Sequence, residues 1–136
     1  MHYVLVFGRL AADLFAYDTS NGEQEFLGRC EPPRRVLPSR MAALQKTSAF
    51  EYAVQLQTLL NDSSIDVSVP IIVASERSLP NSFVRKIIES FRYTIQRECR
   101  VDAAGQMGFN QVLREQLVTD DNTSSVRVAT AALVTT

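Results

Sequence analysis

The segment Ala74–Ser82, ASERSLPNS, holds the densest group of side chains able to bind an anion. Ser75, Arg77, Ser78, Asn81 and Ser82 offer hydroxyls, an amide and a guanidinium within eight positions. An apolar run precedes the segment and a helix pattern follows it. In open α/β sheets, ligands sit beyond the carboxyl ends of strands, and a helix N-terminus presents unsatisfied N–H groups to anions. The same residues also suit an ordinary strand-to-helix connection, with Ser78, Asn81 or Ser82 capping the helix and Pro80 stiffening the turn.

Covalent and metal chemistry find weaker support. Asp13, Asp18, Glu51 and Glu76 are acids that a metal-dependent hydrolase or nuclease would use, with Glu51 and Glu76 foremost, but their spacing demands no shared site. The single histidine, His2, excludes a histidine-rich metal centre. Cys30 and Cys99 match no metal or redox spacing and read as reduced, small apolar residues. The pattern GxSxG is absent, and the five glycines form neither GxGxxG nor a P-loop. No catalytic residue, metal ligand or cofactor is expected.

A second group is cationic. Arg34, Arg35 and Arg40 lie in the connector EPPRRVLPSR. Arg85, Lys86, Arg92, Arg97 and Arg100 follow in a stretch that reads as one helix, where they fall within one arc. The arc reads as a solvated face or as a docking patch for an acidic partner or RNA.

The elements that must position these residues are legible from periodicity. Tyr3–Phe7, Asp13–Asp18 and Gln24–Cys30 are short strand patterns, the last two joined across Asn21-Gly22, a hairpin signal. Three prolines mark residues 31–40 as a connector. A helix is expected over about 40–60, capped by Ser39, with a wide apolar arc that Phe50, Tyr52, Val54 and Leu59 broaden. The segment IDVSVPIIVASE reads as a strand, its second half suited to burial on both faces. Val84, Ile87, Ile88, Phe91 and Ile95 predict a helix over about 81–98, and a shorter one follows at about 107–118. A last strand is expected in VRVATAALV, 126–134.

The order is therefore β-β-β-α-β-α-α-β, an α/β class: a three-stranded antiparallel start followed by α-β-α-α-β, a mixed sheet with helices packed on it. That order resembles the order of elements in ribonuclease H-like and actin-like domains. The resemblance rests on no shared motif, and the opening strand lacks the aspartate that such nucleases place there.

The chain has 136 residues, 46% of them hydrophobic, the material of one domain with a packed core. Its net charge of −1 lacks the basic excess of a phosphate-backbone binder, so nucleic acid is an unfavoured partner. No stretch reads as a signal peptide or membrane span, and a soluble cytoplasmic location is expected. The functional expectation is a non-enzymatic interaction or assembly subunit, working through a protein partner or self-association, a homodimer first of all. The alternatives are the metal-dependent hydrolase and an anion or nucleotide sensor at residues 75–82.

Overall fold

A computed structural model describes residues 1–31 and 42–118, with the side chains of 42–48 and 116–118 outside the description. Arg34, Arg35, Arg40, the Ser39 cap and the strand expected at 126–134 lie outside the described residues. The class is the mixed α/β architecture expected. Strands β1 (His2–Phe7), β2 (Ala12–Asp18) and β3 (Glu23–Cys30) open the chain. Helix α1 (Ala42–Asp62), strand β4 (Ile71–Glu76), helix α2 (Asn81–Glu89), strand β5 (Ile95–Val101) and helix α3 (Gly105–Val112) follow. Leu113–Val118 continues α3 as a π-helical turn.

The sheet runs β3-β2-β1-β4-β5. β1 pairs antiparallel with β2 and parallel with β4, so it lies at the centre. β5 pairs parallel with β4, and its register is regular from Arg97 to Val101. Alternation along the strands divides the core between two faces. Leu5, Phe7, Leu14, Ile71 and Val73 face α1 and α2, with Tyr52, Leu56, Leu60, Phe83 and Ile87 packed on them. Val4, Val6, Ile72, Ala74 and Val101 face α3, with Phe109 and Val112. Phe109 stacks on Phe15 at 4.3 Å between ring centres. Ile71–Ala74 are all buried, as an apolar run covered on both faces requires.

Several expectations are corrected. The hairpin is a four-residue loop, 19–22, in which Gly22 alone takes positive φ (75°) and Asn21 accepts from the Glu23 N–H at 2.9 Å. β4 begins at Ile71, after Pro70, and residues 66–69 form a turn closed by Val69 N–H to Asp66 O. On α1, Tyr52 and Leu59 are buried, whereas Phe50 and Val54 point outward, 59% and 46% exposed.

The largest correction concerns the helix expected over 81–98. α2 ends at Glu89, and Ile95–Val101 is β5. Ser90 donates its N–H to Ile87 O and its hydroxyl to Lys86 O, closing the helix. Gln57 of α1 then holds the corner: its Oε1 accepts from Arg92 N–H at 2.9 Å and its Nε2 donates to Ser90 O at 3.3 Å. A side chain from another element stops the helix, which local periodicity cannot register. Phe91 and Ile95 still pack against the core, so their helix-like spacing from Val84 coincides with a turn and a strand.

Candidate functional site

A cleft of about 570 Å³ lies between α2 and β5, which is an edge strand among the described residues. Its apolar lining comes from Val73 of β4 and Val84 and Ile88 of α2. Its polar lining is Ser75, Asn81, Ser82, Arg85, Glu98 and Arg100. The cleft exists because β5 extends the sheet one strand beyond β4, where neither α1 nor α2 covers it. Val73 and Ser75 alternate onto the same face as Glu98 and Arg100, as strand pleating dictates.

Arg100 organises the loop above the cleft. Its Nη1 donates to Asn81 Oδ1 at 2.7 Å, and its Nη2 donates to Glu76 O at 3.1 Å, Arg77 O at 3.3 Å and Leu79 O at 2.5 Å. The planar guanidinium matches several carbonyls that turn away from the sheet at the strand end. Its Nε is the one buried side-chain polar atom among the described residues with no hydrogen bond. Asn81 therefore serves Arg100 rather than capping α2. The cap residue is Pro80, and no side chain caps the first turn. Proline is suited to that boundary, since it fixes φ and its carbonyl accepts from Phe83 and Val84 N–H at 3.1 Å each.

The candidate anion residues thus separate. Ser75, Asn81 and Ser82 line the cleft, whereas Arg77 and Ser78 do not. Arg77 turns toward the end of β5, where its Nε lies 3.2 Å from Asp102, and its N–H donates to Val101 O. Ser78 is exposed, and its carbonyl accepts from Arg9. The cationic group is also dispersed. Arg85 and Lys86 are on α2, Arg92 is in the following turn, and Arg97 and Arg100 are on β5, so these five do not share a helix face. Of them, only Arg85 and Arg100 line the cleft.

The acids are accounted for one by one. Asp13, 1% exposed, accepts from Arg29 Nε at 2.6 Å and Nη2 at 3.4 Å. The hydrogen bond to Asp13, then its charge, raises the Arg29 guanidinium above its ordinary value. Asp18 accepts from the Ser20 hydroxyl and N–H, which hold its carboxyl below the usual range. Glu76 lies over Gly8, accepting from the Arg9 N–H at 3.4 Å, while Glu51 is on α1. Among the described residues no group of three or more His, Cys, Asp and Glu is placed to hold a metal ion.

Cys99 lies in β5. Burial first, and then the charge of Glu115, pushes its thiol up to about 11. Cys30 on β3 is also pushed up to about 11, by burial and then by the charge of Asp13. The two occupy opposite edges of the sheet, four strand spacings apart, roughly 19 Å. That is far beyond disulfide reach.

Sequence reasoning placed Arg100 on the wrong element and passed over Glu98 and Cys99 as cleft residues. The available signal was the period-two pattern of Ile95, Arg97, Cys99 and Val101, weakened because Arg97 interrupts its apolar side.

No family model matches the chain, and no curated protein matches it. Solved structures do. The chain is similar to the Pelota protein of Thermoplasma acidophilum, at a TM-score of 0.56 and 11% identity over 88% of this chain. It also aligns with an archaeal protein at a TM-score of 0.43 and 17% identity over 96% of this chain. The chain spans 33% and 37% of the lengths of those two proteins. At this identity the Pelota likeness is one of fold, an α/β fold found within a longer protein. No helix among the described residues is long and apolar enough to cross a membrane.

Proposed function

We propose that the chain is a protein-interaction module, and that its working surface is the open edge of β5 with the cleft beside it. The observation that carries this reading is one geometry: among the described residues β5 has a strand neighbour on one side only, and the adjoining cleft has apolar lining and a charged rim. An extended segment added to such an edge gains main-chain hydrogen bonds along the strand, and its alternate side chains enter the cleft. Two cations and one acid, Arg85, Arg100 and Glu98, line it, which favours a segment carrying at least one carboxylate among apolar residues.

The test is selection of displayed peptides on the full chain, followed by amide exchange on the complex. Selected peptides should alternate apolar and acidic residues, slow exchange over Ile95–Val101, and bind about tenfold more weakly to Arg85→Glu. Peptides that bind without protecting β5 and ignore Arg85→Glu, or a selection that yields none, would overturn the reading.

A further inference from the structure

β5 is polar for a strand. Its sequence, IQRECRV, places Arg97, Glu98 and Arg100 on an edge. Charges on edge strands ordinarily deter pairing with other chains. Their arrangement here discriminates between registers.

The direction of the backbone groups limits those registers. Val101 O accepts from Arg77 N–H on the β4 side. In a parallel pair, alternate residues turn both backbone groups toward the same neighbour. Arg97, Cys99 and Val101 therefore bond toward β4, and Glu98 and Arg100 present N–H and C=O to the open edge. An antiparallel strand added there must oppose outward residues with outward residues. For two copies of β5, the two-fold axis must then pass through a residue position, not between residues.

Axis positions within Arg97–Arg100, the charged part of the strand, differ in electrostatic outcome. An axis at Glu98 sets Glu98 against itself. Axes at Arg97 and Arg100 each set an arginine against its own copy. An axis at Cys99 sets Glu98 opposite Arg100, twice by symmetry, and opposes no like charges. Glu98 and Arg100 both lie on the cleft face, so each such pair shares one side of the extended sheet. Arg100 Nε, itself buried, has no hydrogen-bond partner among the described residues.

We infer, resting on the reading of β5 as the interaction edge, that the segment accepted there is β5 of a second copy, paired antiparallel about a two-fold axis at Cys99. The product is a continuous sheet across two copies, with Glu98 of each beside Arg100 of the other and Cys99 facing its own counterpart. Cys99 makes no backbone bond across the axis, so the two Cα atoms approach to roughly 4.5 Å, within the range a disulfide spans.

The full chain is examined by sedimentation and then oxidised with diamide in alkaline buffer, which joins two thiols as diamide takes up their hydrogens. The expected results are twice the monomer mass and a covalent dimer. Cys30→Ser should cross-link as readily as the native chain, and Cys99→Ser not at all. Glu98→Arg, which opposes two arginines in this register, should weaken dimerisation by about tenfold or more. A dimer that cross-links through Cys30, or that is indifferent to Glu98→Arg, overturns the register. A monomer at the highest soluble concentration overturns the second copy as occupant. If that monomer still binds selected peptides at β5, the interaction reading stands alone. If its β5 amides are already protected, the edge is covered from within the chain and both fall.

Discussion

The two edges of the sheet treat their arginines differently. β3 pairs antiparallel with β2, with a bulge opposite Leu14 and Phe15, and carries Glu23 and Glu25 near its start. Its Arg29 reaches across to the buried Asp13 of β2, so the cation compensates a charge inside the fold. β5 is parallel, regular from Arg97 onward, and alternates in sign. Its Arg100 reaches over the sheet end to hold the backbone of the β4–α2 loop. One edge uses its charge to stabilise its neighbour strand, the other to shape a cleft. An irregular, acidic edge resists added strands, and a regular edge of mixed sign selects among them.

Matched substitutions near the two edges should break this comparison most visibly. Gly108 of α3 lies under β1 and β5, where an added Cβ would come 2.2 Å from Ala103 O, 2.9 Å from Val6 Cγ1 and 3.2 Å from Val101 Cγ2. Gly108→Ala must lift the helix from the sheet, and we expect a loss of about 3 kcal/mol in urea unfolding. Among the described residues, a Cβ on Gly28 of β3 would meet only the end of Leu59 at 3.0 Å and Ser63 at 4.0 Å. Gly28→Ala should stay within about 1 kcal/mol, since a side-chain tip yields. Equal losses would mean that the two edges are supported alike.

Arg100→Ala comes next. It releases carbonyls of Glu76 and Leu79 that are partly buried, at a cost of about 1–3 kcal/mol. Amide exchange over 76–82 should quicken while exchange in β2 and β3 stays unchanged. Arg100→Lys should not rescue the loop, because an ammonium cannot replicate the planar fork. Arg29→Ala should reverse the pattern, quickening exchange at β3 and leaving the loop intact.

A gentler test uses the thiols, one on each edge. Both are raised to about 11, chiefly by burial, from an ordinary 9.0. The folded chain therefore prefers the neutral thiols, and the unfolded chain ionises first. Their stabilising share is complete below pH 9 and is lost as the pH rises from 9.0 to about 11. The urea midpoint should fall across that window, and substituting either cysteine by Ala should flatten the fall. The smallest effect belongs to Arg77→Ala. Arg77 and Asp102 have side chains 63% and 71% exposed, so breaking their pair should cost at most about 0.5 kcal/mol.

How far the fold was legible follows from where the information sits. β1, β2 and β3 match their expected bounds to within a residue at either end, because alternation and the turn residues 19–22 are local signals. α1 and the burial of Ile71–Ala74 were legible for the same reason. The end of α2 was not, because Gln57, far away in sequence, holds the corner at Ser90 and Arg92. That error carried into the candidate site: on a continuous helix Arg100 joins a solvated arc, while on β5 it clasps the loop beside the cleft. The anion residues were half legible, since Ser75, Asn81 and Ser82 do line the cleft, and Arg77 is drawn aside by Asp102.

By itself the sequence determined the mixed α/β class, the antiparallel opening and the doubly buried strand β4, all consequences of the spacing of apolar and turn residues along one segment. Only the tertiary structure decided that 95–101 is a strand, that it stands at an edge among the described residues, and that Arg85, Glu98 and Arg100 meet around one cleft. Those outcomes depend on which segments become neighbours in space, and hydrogen bonds between distant elements, not local periodicity, settle that.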